Sequence, residues 1–231
     1  MLLKELTENV AIKEVLGEEA EVLSLALNTK NVAKDAMFFA LRGEKFDGND
    51  FIDEAIKAGA VAICTERKPK VMVENVCYII VEDAHAACAI ISSNFYGNPS
   101  SKLKLVGITG TNGKTTVASL SAELMRGLGY KVGLISTVGD KVLGEKTIEI
   151  ESGRTTPTTP DSIVINELLY KMVNLGCSHA FMEVSSHSVS LGRMPGLTFA
   201  GGVFTNLTQD HLDFHGDMEK YAKAKQGFFN H

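Results

Sequence analysis

The sequence lacks the features that mark several function classes. It has four cysteines, Cys64, Cys77, Cys88 and Cys177, and no CxxC pair, so neither a structural zinc site nor a dithiol redox motif is encoded. Three of the four lie among apolar neighbours and read as small buried thiols, as expected of a protein kept in a reducing cytoplasm. No basic block interrupts a net charge of −5, which argues against nucleic-acid binding. Apolar runs such as residues 60–64 are far too short to cross a bilayer. The opening stretch MLLKELTENVAIKEVLG is charged throughout and has no signal-peptide core. The expectation is a soluble, cytoplasmic, monomeric protein without a membrane or nucleic-acid partner.

What is present is ordinary for a globular chain: 45% apolar and 22% charged residues over 231 positions, enough for one large domain or two smaller ones. Residues 22–27, 36–41, 60–65 and 78–81 read as strands, and residues 49–58 and 84–95 as helices. Gly97-Asn98-Pro99-Ser100-Ser101 is the best linker candidate. A second α/β pattern follows, with strands at 103–109, 132–137, 180–184 and 199–204 and a weak hairpin over 140–152. Its helices are expected at 114–128, where Val117, Leu120, Leu124 and Leu128 keep helical spacing, at 159–175 with Thr159 as cap and Pro160 in the first turn, and from Asp217 on. Strand, helix, strand in that order implies a parallel sheet with right-handed crossovers.

One motif carries chemistry by itself. In Gly107-Ile108-Thr109-Gly110-Thr111-Asn112-Gly113-Lys114-Thr115-Thr116 a strand ends, glycines turn the chain, and a helix begins on a Lys-Thr pair. Glycines admit backbone N–H groups to a polyphosphate, the helix N-terminus adds its dipole, Lys114 adds a point charge, and Thr115 can ligate Mg²⁺. The strict Walker pattern would need glycine where Ile108 stands, so the working core is Gly110-x-x-Gly113-Lys114-Thr115. The plain alternative is a tight turn with a solvated lysine. The Lys-Thr pair at the junction favours ATP with Mg²⁺ instead. Glu183, at the carboxyl end of a strand, is well placed to hold that metal, although a strand-end glutamate taken alone is more often a solvated rim residue. Ser185-Ser186-His187 is not read as a nucleophile–base set, because neighbours on a strand point to opposite faces.

The loop GTNGKTT resembles that of the Mur ligase family. Three later stretches strengthen the likeness: Thr158-Thr159-Pro160, Met182-Glu183-Val184-Ser185-Ser186-His187-Ser188, and the segment from Thr205 to Gly216 that reads TNLTQDHLDFHG. They point to the branch that adds the third residue to UDP-MurNAc-L-Ala-D-Glu. The segment Asn28-Thr29-Lys30-Asn31-Val32 through Phe38, Ala40 and Gly43 is similar to that branch's UDP-sugar pattern, with Asn28, Thr29, Lys30 and Ala36 in place of Asp, Ser, Arg and Gly.

The resemblance implies an α/β UDP-MurNAc-binding domain over 1–98, including Thr29, and a P-loop-type parallel-sheet ATPase domain, in part, over 99–231. The amino-acid-binding C-terminal domain would lie outside this chain, which alone is expected to lack ligase activity. It implies ATP at Gly110, Thr111, Asn112, Gly113, Lys114, Thr115 and Thr116, with magnesium at Thr115, Glu183, His211 and a carboxylated Lys225. Lys114, Glu183, His211 and Lys225 form the catalytic set, with Lys223 competing for the modified position. Substrate contacts fall to Thr158, Thr159, Ser185 and Arg193, and Thr155-Thr156-Pro157 is a near copy of the threonine pair. The implied reaction phosphorylates the D-Glu carboxylate and lets the amine of meso-diaminopimelate or L-lysine attack the acyl phosphate. Competing readings are another amide ligase (folylpolyglutamate synthase or the UDP-tripeptide branch), a non-catalytic nucleotide-binding module, and a motor-type ATPase.

Overall fold

Apolar runs set the inner strands of the chain, whose computed structural model describes residues 1–43, 46–153 and 158–230. The chain divides into two units, Met1–Phe95 and Tyr96–His231. In the first, helix α1 (Leu3–Leu6) precedes strands β1 (Ile12–Leu16), β2 (Ser24–Ala26) and β3 (Ala36–Phe39). Helix α2 (Ile52–Ala58), β4 (Ala60–Thr65), β5 (Cys77–Val81) and α3 (Ala84–Phe95) complete it. Among the described residues the sheet order is β1-β5-β4-β3-β2, parallel except for β1 against β5. The inner strands Ala-Met-Phe-Phe and Cys-Tyr-Ile-Ile-Val are buried along their length, as expected of parallel strands covered on both faces.

The expected helix at 49–58 begins instead as a 3₁₀ turn, Gly48–Phe51, because Asp47 accepts from the Asn49 N–H and tightens the entry. Gly59 closes α2 in the left-handed conformation at φ 115°, its N–H turned back on Ala55 and Ile56, the usual way a helix is stopped by glycine. Strand β2 is shorter than its apolar run suggests: Val22 is buried but pairs with Met1, its N–H donating to the Met1 carbonyl and its carbonyl accepting from the Met1 amino group, both at 2.9 Å.

The second unit holds β6 (Lys104–Thr109), α4 (Lys114–Gly127), β7 (Val132–Ser136), the hairpin strands β8 (Gly139–Leu143) and β9 (Ile148–Glu149), and α5 (Ser162–Asn174). It continues through β10 (His179–Glu183), α6 (Ser186–Ser190), β11 (Gly201–Phe204), α7 (Leu212–His215) and α8 (Met218–Gly227). Its described strands run β11-β6-β10-β7-β8-β9, the first four parallel and the last two antiparallel. The order β11-β6-β10-β7 aligns four carboxyl ends along one rim, where open α/β sheets take ligands.

Helix α4 covers one face through Ala118 and Ala122, against Ile108, Leu134 and Phe181. Helix α5 covers the other through Ile165, Leu168, Leu169 and Met172. Gly133 leaves room there for the Met172 side chain, which would have to shift if a β-carbon were added. Two expectations need correction. Asp161, not Thr159, caps α5, accepting from Val164 N at 3.1 Å, so Pro160 precedes the helix. Pro99–Lys102 is a 3₁₀ turn with Pro99 and Ser100 buried inside the second unit, and the division between units falls before it.

Candidate active site

Strand β6 delivers the chain into the Gly110–Gly113 turn with little freedom. Gly110 has φ 144°, and a β-carbon on it would run into Thr205 Oγ1. Gly113 has φ 85° with open space around it and stands as the N-cap of α4. The segment after β11 braces the loop. Thr111 N donates to Asn206 O at 2.9 Å, Asn112 N to Asn206 Oδ1 at 3.1 Å, and Thr205 Oγ1 to Asn112 O at 2.7 Å. Asn112, Gly113 and Thr116 are exposed, so the tip faces solvent.

Two ammonium groups converge on one loop carbonyl. Lys114 Nζ donates to Gly110 O at 3.0 Å and to Thr111 O at 2.8 Å, and Lys225 Nζ, 1% exposed, donates to Gly110 O at 2.7 Å. Burial and the nearby Lys114 charge push Lys225 down to about 8, with Asp210 opposing. Lys114 is also lowered, by burial, against the pull of Glu183 and Asp210.

Glu183 ends β10 beside the loop, its residue paired with Ile108 in the ladder. The side chain is 1% exposed and fully engaged. Thr115 Oγ1 donates to Oε2 at 3.0 Å, Thr137 N to Oε1 at 2.9 Å, and Thr137 Oγ1 to Oε2 at 3.3 Å. Thr115 and Glu183 therefore present hard oxygens 3.0 Å apart, close to the roughly 3 Å between adjacent vertices of an octahedron with ~2.1 Å metal–oxygen bonds. These two residues fit Mg²⁺ by donor type and spacing.

Beyond Glu183 the chain turns into α6, so Ser185-Ser186-His187 is not a strand as expected. Ser185 is the N-cap, accepting from Ser188 N at 3.1 Å. Thr159, buried, donates from Oγ1 to Glu183 O at 2.9 Å, accepts from Ser185 N at 3.0 Å, and lies 3.2 Å from Ser185 Oγ. Arg193 Nη1 donates to Thr159 O at 2.6 Å and Pro160 O at 3.2 Å. The expected substrate residues Thr159, Ser185 and Arg193 thus form one network next to Glu183, with Thr158 half-buried beside them. Thr155-Thr156-Pro157 lies outside the described residues. Thr29 belongs to the first unit, in an exposed 3₁₀ turn, and donates to Glu54 Oε1 at 2.7 Å.

His211 takes a left-handed φ of 51° as the N-cap of α7. Its ring meets His187 edge-on at 4.9 Å. His215 is anchored by a 2.9 Å bond between Nε2 and Ser186 Oγ, and burial, then the neighbouring His187, His211 and Lys225, lower its pKa. The residues expected to hold two magnesium ions fall into two pairs. Thr115 and Glu183 meet, while His211 and Lys225 both border the Tyr221 ring, at 6.2 Å and 4.6 Å from its centre. Among the described residues no group of three or more His, Cys, Asp or Glu side chains clusters as a metal cage. Lys223 points away, paired with Glu219 on the exposed face of α8 at 2.8 Å.

Sequence reasoning missed Thr137, Asn206, Thr208 and Tyr221. TNLT carried the family likeness without an assigned role, and Tyr221 stands one helical turn before Lys225, a spacing that could have flagged it.

With the geometry in view, comparison with known proteins gives a consistent result. Residues 108–231 match the Mur ligase middle domain, and residues 21–96 match the Mur ligase family catalytic domain. A Cytophaga hutchinsonii protein named UDP-N-acetylmuramoyl-L-alanyl-D-glutamate–2,6-diaminopimelate ligase is 47% identical over 232 residues, covering 100% of this chain and 46% of that protein. The chain thus spans about half the length of the curated relatives it matches. A solved structure of a ligase with that same name superposes with a TM-score of 0.71 at 28% identity, over 90% of this chain and 41% of the other. A Thermotoga maritima MurF ligase in complex with ADP gives 0.57 at 25% identity, over 88% and 42%.

Proposed function

We propose, from the premise that this chain belongs to the Mur ligase family, that it forms the N-terminal and central part of a cytoplasmic ATP-dependent ligase of peptidoglycan precursor synthesis. The reaction joins a diamino acid to UDP-MurNAc-L-Ala-D-Glu. Diaminopimelate is favoured over lysine by the names of the relatives. The observation that carries the reading is the meeting of Thr115, at the start of the loop helix, with Glu183, at the end of the neighbouring strand.

The residues divide the work by their chemistry. Lys114 and the loop N–H groups from Gly110 to Thr116 take the phosphates of ATP, where negative charge builds as a phosphoryl group moves. Thr115 and Glu183 hold Mg²⁺, with His211 and a carboxylated Lys225 as ligands of a second ion. Magnesium supplies charge neutralisation and in-line alignment when bound. A carboxylated Lys225 also replaces a cation by an anion where two ammonium groups now crowd the Gly110 carbonyl. Thr158, Thr159, Ser185 and Arg193 receive the dipeptide, whose D-Glu carboxylate is activated and then captured by the incoming amine. Thr29 belongs to the surface that takes the UDP-sugar.

Thermal stability tests the reading. A ligand at 100 times its dissociation constant stabilises the native state by roughly 2.7 kcal/mol. UDP-MurNAc-L-Ala-D-Glu should raise the melting temperature more than UDP, Mg·ATP should raise it independently, and dihydrofolate should not. A response to dihydrofolate, or none to the UDP-dipeptide, counts against it.

A further inference from the structure

Tyr221 stands where three parts of the site meet. It is fully buried in α8, four residues before Lys225. Lys225 Nζ lies 4.6 Å over its ring centre, within cation–π reach. The rings of His215 and His211 lie at 5.2 and 6.2 Å. Its hydroxyl is 3.0 Å from Thr111 Oγ1 in the phosphate loop.

The direction of that last bond follows from counting. Thr111 Oγ1 also faces Thr208 N at 3.0 Å and Thr208 O at 3.1 Å. The amide can only donate and the carbonyl can only accept, so the single Thr111 proton goes to Thr208 O. One lone pair takes Thr208 N–H, and the remaining lone pair faces Tyr221. Tyr221 is therefore the donor, and it completes the bonding of a threonine that is 7% exposed.

We propose that Tyr221 is a positioning residue of the nucleotide site, whose hydroxyl fixes the phosphate loop through Thr111 while its ring seats Lys225 and borders His211. It holds α8 and the loop in one register and acts only through those residues. The proposal rests on the ligase reading above, because it assigns Tyr221 to the ATP loop.

Tyr221→Phe separates the two parts of the role, since it keeps the ring and deletes only the bond to Thr111. On the full chain, Mg·ADP affinity by calorimetry is expected to fall about three- to tenfold in Tyr221→Phe, the range of one neutral hydrogen bond. Amide exchange at residues 110–113 and 208 should quicken while the rest of the second unit is unchanged. Thr111→Val removes the acceptor, and the double variant should lose no more than the weaker-binding single variant. Tyr221→Leu, which also removes the Lys225 seat, should bind more weakly than Tyr221→Phe. Unchanged affinity in Tyr221→Phe, a lowered melting temperature alone, or additive losses in the double variant overturns the proposal. A wild-type chain that binds no adenine nucleotide overturns the ligase reading, and this proposal with it.

Discussion

Thr115 Oγ1 donates a 3.0 Å hydrogen bond to Glu183 Oε2 across 68 positions of sequence. One residue opens α4 and the other ends β10, so the parallel pairing of β6 with β10 is what brings them together. Three donors converge on this buried carboxylate, which fixes its orientation.

Glu183→Gln tests the metal role. The amide keeps the shape and can still accept from Thr137 N, so the fold should persist. The charge proposed to attract Mg²⁺ is gone. Metal affinity, read by Mn²⁺ electron paramagnetic resonance in the presence of ADP, is expected to drop by at least the ~10–100-fold seen when a mere supporting partner is lost. Equal Mn²⁺ binding by the variant and wild type would remove Glu183 from the site.

Gly110 and Gly113 both have positive φ, yet they should respond differently to alanine. Gly113→Ala meets open space and should cost only the left-handed backbone penalty of about 1–2 kcal/mol. Nucleotide binding should survive in part, since the N–H remains. Gly110→Ala adds a collision with Thr205 Oγ1 and crowding by the Asn206 backbone. It should destabilise further and abolish binding. Paired melting curves and ADP titrations check this, and similar losses in the two variants would contradict it.

The strand–turn–helix frame around the loop was legible because local glycine, lysine and apolar patterns determine it. The residues that hold the site in shape were not. Thr137 reaches Glu183 over 46 positions and Tyr221 reaches Thr111 over 110, and no local pattern encodes such approaches. The stripe Leu120, Leu124, Leu128 shows how far such a pattern reaches. Its spacing marks the helix correctly, yet it does not mark the packed face, for the three are 64%, 66% and 65% exposed. Ala118 and Ala122 face the sheet instead, because small side chains let α4 lie close to it. Thr159 looked like a helix cap for its place beside proline. Its hydroxyl has a stronger use at the Glu183 carbonyl, and Asp161, whose carboxylate suits a helix N-terminus, takes the cap.

Arg193→Lys addresses the proposed substrate network. Arg193 Nη1 clamps the carbonyls of Thr159 and Pro160, and lysine keeps the charge but not the planar fork. The loss should approach the ~1.5–3 kcal/mol of hydrogen bonds from a charged donor, lowering the melting temperature by about 2–4 °C per kcal/mol. Amide exchange at Thr158 and Thr159 should rise, and the UDP-dipeptide should stabilise the variant less than the wild type. Wild-type ligand stabilisation in Arg193→Lys would confine this residue to a structural role.

The buried thiols contribute to the alkaline pH dependence. Burial, then the Glu66 charge, pushes Cys64 up to about 12, and burial pushes Cys177 up to about 11 against Lys131, from an ordinary 9.0. A raised native pKa means that the native state holds its proton while the unfolded chain releases it. The unfolded state then binds fewer protons, and stability falls as pH rises. The contribution is fully present below pH 9 and is lost progressively from there toward the native values. Denaturant midpoints should therefore be insensitive to these groups between pH 7 and pH 9 and decline above it, and Cys64→Ala and Cys177→Ala should each flatten that decline. At pH 8 a thiol reagent should react slowly with all four buried cysteines of the native chain and promptly in guanidinium, since the thiolate is the reactive form. Prompt modification of Cys64 in the native state would show that β4 opens far more readily than its complete burial allows.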